Sequence, residues 1–249
     1  MFNHLSKFYW QLFKNDYLRF LLVYIRYLFY RLFYKFEEIS SPYSISNSNS
    51  YNRSALNSIR TECFYNRIKY LHGILMSLEY ISKNSNVLLI GSRSENELIY
   101  LKSYGFINIT CVDILSYSPT IRCMDMHNLK FKNNKFDIII CGWTLVYSQN
   151  QKKCANELVR VTKDNGIVAI GYAKVKKKNK VSIKAKNESL IIPKDNANSA
   201  KEILQLFARN IKKKIFIYDG ELNFFTEKKI YKLAGHTSSN ILTIFKIKK

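Results

Sequence analysis

The chain has no C-x-x-C pair: its five cysteines stand apart, at positions 63, 111, 123, 141 and 154. That spacing implies no zinc site and leaves buried free thiols in a reducing cytoplasm as the expectation. Acids are scarce, 18 Asp and Glu against 40 Lys and Arg, for a net charge of +22. Such an excess favours nucleic acid or anionic lipid as a partner. Lys, Asn, Ile and Tyr are abundant everywhere, strands included, as in AT-rich coding sequence, so much of the charge is compositional. Long apolar runs are missing too. Between Phe2 and Phe36 no uncharged run is longer than Phe20 to Ile25, against the ~20 residues that span a bilayer. The plain apolar core and small-residue cleavage site of a signal peptide are also absent. Proline and glycine do not occur in that stretch, so a long helix is expected.

What that helix carries is aromatic and basic: Phe, Tyr, Leu and Trp10, interrupted by Lys7, Lys14, Arg19, Arg26, Arg31 and Lys35. The mixture suits a helix lying in a membrane interface. It equally suits a helical cap on the core or a dimer contact. At roughly 100° per residue Arg19 and Arg26 share a face, while Arg31 is displaced by about 120°.

Residues 87–171 alternate strand with helix. Val87 to Gly91, Ile107 to Asp113, Phe136 to Gly142 and Ile167 to Gly171 are apolar strands, and Gln151 to Val161 is a helix. Apolar strands separated by helix-length segments make a parallel sheet covered on both faces. Asp113 ends the second strand, about 20 residues past the first strand's glycine, where an acid suits the ribose hydroxyls of a nucleoside cofactor. The glycine loop reads Gly91-Ser92-Arg93-Ser94-Glu95-Asn96-Glu97 and lacks the second and third glycines of G-x-G-x-x-G. Glu95 and Glu97 would repel a pyrophosphate at that helix N-terminus. The same acids favour the helix macrodipole, and Ser94 with Glu97 fits a capping box. A cofactor without phosphates remains compatible.

Five pieces then occur in order: Val87-Leu88-Leu89-Ile90-Gly91, Val112-Asp113, Asp125 to Phe131, Asn134 to Ile140, and Asn156 to Gly166. Together they resemble the class I S-adenosylmethionine-dependent methyltransferases, in particular the type 11 group, over about a third of the chain. The last piece is similar to that family's E-x-x-R-V-L-K-P-G-G turn, with Asp164-Asn165-Gly166 in place of Pro-Gly-Gly. The resemblance implies an α/β, doubly wound Rossmann-like sheet, mostly parallel, with a C-terminal antiparallel pair at Ile211 to Tyr218 and Asn240 to Ile247. It implies S-adenosylmethionine as cofactor. Gly91 would pass close to the methionine part, Asp113 would hold the ribose, and Asp125 and Met126 would flank the adenine. Gly142 would lie where the fourth strand opens into the pocket. Arg93, at a position where the family has glycine, would pair with the cofactor carboxylate or point to solvent. Leu89 replaces the family's usual acid two residues before the first glycine.

Three parts are expected: a basic aromatic extension (1–39), a Ser/Asn-rich linker (40–54) and a methyltransferase-like domain (55–249). Ala55 to Ile81 and Ser199 to Asn210 read as helices, and Lys174 to Lys186 as a solvated loop. The acid-and-proline signature of nucleobase amino methyltransferases is missing after the fourth strand, which reads Cys141-Gly142-Trp143-Thr144-Leu145-Val146-Tyr147. The Pro-Cys nucleophile of cytosine carbon methyltransferases is absent as well. The expected substrate is a small molecule, such as a sugar or lipid-linked intermediate. The chain would be cytoplasmic, with an anionic membrane surface as a further partner of residues 1–39. An RNA methyltransferase and a non-catalytic binding module are the alternatives. No general base stands out: His127 reads as a surface or cofactor-edge residue.

Overall fold

The computed structural model describes residues 9–45, 48–57, 66–174, 182–185, 188–191, 193, 195–220 and 240–249. Cys63, His236, residues 2–8 and most of the Lys174 to Lys186 run lie outside the described residues.

In chain order the elements are α1 (Asp16–Phe33), α2 (Ser48–Asn57), α3 (Lys69–Met76), β1 (Val87–Ile90), α4 (Asn96–Ser103), β2 (Ile109–Asp113), β3 (Ile121–Cys123), β4 (Phe136–Gly142), α5 (Gln151–Val161), β5 (Thr162–Ala173), α6 (Ala200–Leu206), β6 (Ile211–Gly220) and β7 (Asn240–Ile247). One seven-stranded sheet runs in the order β6-β7-β5-β4-β1-β2-β3. Its five strands from β5 to β3 are parallel, and β7 lies antiparallel between β5 and β6. The expected doubly wound sheet with a C-terminal antiparallel pair is therefore present. Strand β3 is an addition. Its three residues, Ile121-Arg122-Cys123, are too few to give a periodic signal.

Alternation along each strand sends side chains to two cores. Leu88, Ile90, Ile139 and Val168 pack on one face with α5 and α6. Val87, Leu89, Ile138 and Ala169 pack on the other with α3 and α4. Burial on both faces is why the strands read as unbroken apolar runs. The E-x-x-R stretch of α5 acts as a staple: Glu157 Oε2 accepts the Leu129 N–H at 2.9 Å. Arg160 donates to the carbonyls of Leu129 and Phe131, each at 2.8 Å. Asn165 takes the left-handed conformation (φ 61°) within the first residues of β5, which an Asn tolerates where the family has glycine.

The N-terminal extension is not one continuous helix. A 3-10 turn, Leu12–Lys14, ends at Asn15, whose extended backbone and side chain cap α1 by accepting from the Tyr17 and Leu18 N–H groups. Helix α1 packs on the α4 side of the sheet through Arg19, Val23 and Tyr27. The stretch read as a linker contains α2, which runs on to Asn57, and within the expected helix 55–81 a turn at 67–68 precedes α3, which begins at Lys69.

Candidate active site

Strand order reverses about β1, which lies between β2 and β4, so a crevice opens beyond their carboxyl ends. There Gly91, Arg93, Asp113, Met124, Met126, Thr144 and Tyr147 line a cavity with about 570 Å³ of empty space, part of it open to solvent. Its roof is α2 with its approach, through Ser44, Ser48, Tyr51 and Asn52, and Arg67 closes one side.

Each wall residue has a local reason to be there. Gly91 turns the chain out of β1 at φ 78°, and a Cβ on it would lie 1.9 Å from Thr144 Oγ1. That hydroxyl holds the ends of two neighbouring strands, donating to the carbonyls of Ile90 and Gly142 at 3.2 Å. Asp113 is buried at the tip of β2, and its Oδ1 accepts the Leu115 N–H at 3.2 Å. Burial pushes its carboxyl up, while the nearby Arg93 and Arg67 guanidiniums act in the opposite sense. Arg93 is buried, donates from Nε to Asn52 Oδ1 at 3.0 Å, and lies over the Tyr51 ring at 5.1 Å. It faces the cavity rather than solvent.

Four of the six candidate residues, Gly91, Arg93, Asp113 and Met126, thus share one cavity wall. Asp125 and Gly142 do not line it. Asp125 is turned to its own neighbours: Oδ1 accepts from the His127 N–H at 2.9 Å and sits 2.6 Å from Nδ1, and Oδ2 accepts from Ser41 at 2.6 Å. Burial alone would raise its carboxyl, but the His127 and Ser41 hydrogen bonds bring it down to about 2. Gly142 is covered by Ile68 and Arg67. His127 is buried, not on the surface, with Nε2 2.6 Å from Ser148 Oγ. The Asp125–His127–Ser148 row has the order of a hydrolytic triad, yet Ser148 is fully buried and takes the Asn150 N–H. It ties loops together.

The acids of the glycine loop face away from the cavity. Glu95 is fully buried and accepts from Arg26 Nε (2.5 Å) and Nη2 (3.0 Å), from Ser118 (2.5 Å) and from Thr120 (2.5 Å). Desolvation works against its charge, and these donors more than offset it, so its carboxyl lies below the usual range. Asn96 accepts from Arg19 Nε at 2.6 Å. Glu97 accepts from Arg67 Nε at 3.2 Å. No Ser94–Glu97 capping box forms, because Glu95 takes the N-cap position. Where the family has small residues, this chain has the receptors for the arginines of α1. The sequence alone offered no signal for this, since Arg26 and Glu95 are 69 residues apart. The roof residues Tyr51 and Asn52 were equally hidden, in a stretch whose composition reads as linker, and Arg67 in one read only as a helix.

The residues suit S-adenosylmethionine. A buried carboxylate that accepts one backbone N–H has acceptor capacity left for a vicinal diol. A buried guanidinium suits the cofactor carboxylate, and two methionines offer apolar, polarisable surface to an adenine.

A family profile described as "Methyltransferase domain" matches residues 88–170. Among solved structures, the chain resembles a putative methyltransferase in complex with the Trm112 methyltransferase activator of Haloferax volcanii. That likeness has TM-score 0.55 and 13% identity, over 82% of this chain and 96% of that one. It also resembles a putative sarcosine dimethylglycine methyltransferase from Galdieria sulphuraria (TM-score 0.52, 11% identity, 75% and 87% coverage). A third likeness is to the [4+2]-cyclase SpnF (TM-score 0.52, 13% identity, 72% and 80%). At such identities these structures speak for the fold alone. No curated protein matches the sequence. Strand order, cavity and profile converge: the chain carries a class I S-adenosylmethionine-dependent methyltransferase domain.

Proposed function

We propose that the chain methylates a small molecule, a sugar or lipid-linked intermediate, in the cavity between the β1–β2 edge and α2. The observation that carries this reading is the roof. Ser44, Ser48, Tyr51 and Asn52 line the site from the α2 side, which favours an acceptor small enough to enter beneath them over one lying along an open groove. S-adenosylmethionine, when bound, supplies an electrophilic methyl group on a sulfonium. Asp113 would accept from the ribose hydroxyls, Arg93 would hold the carboxylate, and Met124 and Met126 would offer apolar surface to the base. The roof narrows the opening and would place the acceptor, the proximity contribution that a transfer of this kind needs. Tyr51 and Tyr147 add hydroxyls beside the cavity. Burial raises the Tyr147 phenol, so near neutral pH it is a hydrogen-bond donor and not a base.

Two measurements test the reading. Calorimetric titration with S-adenosylmethionine should give binding that Asp113→Ala weakens by about tenfold to a hundredfold, as for lost hydrogen bonds to a charged group. Unchanged affinity in the variant would refute the site. Incubation with methyl-labelled cofactor and cell extract should then place label in the sugar or lipid fraction. Label in RNA would overturn the substrate class.

A further inference from the structure

Helix α1 is amphipathic in an inverted sense. Its arginines at 19 and 26 point into the protein, held by Asn96 and Glu95. Phe20 and Leu22 pack against the core, but a strip of its other apolar residues points out. Leu21, Ile25, Leu28, Phe29, Leu32 and Phe33 are each between 42% and 78% exposed. At roughly 100° per residue they cover an arc of about 140°. Arg31 and Lys35, both exposed, stand at the end of this strip, and the whole chain carries a net charge of +22.

We infer that this outward face is a docking surface for an anionic lipid membrane, on which α1 lies flat. Among the described residues no helix is long and apolar enough to cross a bilayer, so the contact is with the surface. Helices of this kind immerse a broad apolar face and set their basic residues against anionic headgroups. The width of the strip separates a membrane from a second copy of the chain. A two-helix seam would use Leu21, Ile25, Leu28 and Leu32, with Leu18, at alternating three- and four-residue steps, an arc of about 80°. Phe29 and Phe33, 55% and 73% exposed, would stay in water. A planar interface takes the whole strip, and aromatic residues at its margin belong at headgroup depth. The basic end residues give the surface its preferred sign of charge. The inference does not depend on which molecule is methylated.

The test is co-sedimentation of the full chain with vesicles of equal parts phosphatidylcholine and phosphatidylglycerol, and with phosphatidylcholine alone. The protein should pellet with the anionic vesicles. An Ile25→Glu/Leu32→Glu variant should lose partitioning by at least about tenfold, since burying either side chain contributes more than that factor. Its melting temperature should match the parent, because both side chains face solvent. An Arg31→Ser/Lys35→Ser variant should lose the preference for anionic vesicles. A full chain that stays in the supernatant, or a Glu variant that pellets like the parent, would overturn the inference. So would a dimer in sedimentation velocity that Ile25→Glu dissociates, since a second copy would then cover the face.

Discussion

His72 is caged by the rings of Tyr100, Tyr104 and Phe106, with Nδ1 3.2 Å from the Tyr100 hydroxyl. Desolvation, with a smaller push from Lys83, brings it down to about 4 from an ordinary 6.5. The unfolded chain therefore binds this proton first. The stability that neutral His72 contributes is complete above the unfolded value and is lost as pH falls from 6.5 towards 4. The loss is about 3 kcal/mol at its limit. Denaturant melts at stepped pH should show that slope, and His72→Phe, which fits an aromatic cage, should flatten it. An unaltered slope in the variant would assign it to another group. The same physics separates the legible acids from the illegible ones. Asp113 could be read from the sequence because its strand and spacing fix where it points. Asp125 could not: its direction depends on His127, Ser41 and Ser148, and Ser41 and Ser148 come from distant segments.

Between elements, the contact that matters most is α1 against the start of α4. Arg26 and Glu95 form an ion pair in which Glu95 is fully buried and Arg26 about one-third exposed. Removing one partner of a buried pair leaves a charge with its desolvation cost uncompensated. Arg26→Met should cost about 2–3 kcal/mol after allowance for the exposed side of Arg26. Adding Glu95→Gln should recover part of that loss, because the amide is neutral. A double-mutant cycle by chemical denaturation measures the coupling, and additive losses would mean that the pair does not act as a unit. Strands β1, β2, β4 and β7 were legible as elements because burial on both faces writes an unbroken apolar run. Helix α2 was not. Its Ser- and Asn-rich sequence has weak helix propensity, and it holds its place through Tyr51 in the core and Asn52 against Arg93.

For the molecule as a whole, the extension and the sheet form one folding unit. Phe13, Val23 and Tyr27 belong to the same core as Leu71, Leu98 and Ile140. A chain lacking residues 1–38 would expose that apolar surface and leave Glu95 buried without its cation. It should fail to give a stable monomer in gel filtration and thermal melts. A truncated protein as stable as the parent would show that α1 contributes nothing to the core. Charge and low complexity, from which the three parts were read, track solvent and not packing, so they carry no signal of the core that α1 shares with the sheet.

The Arg26–Glu95 contact also has an evolutionary reading. A glycine restored at position 95 would strand Arg26 against a buried wall, and an apolar residue at 26 would strand Glu95. Either single step passes through a less stable protein. The two positions are therefore expected to change together, and in this chain the residue at 95 is fixed by a helix 69 residues upstream.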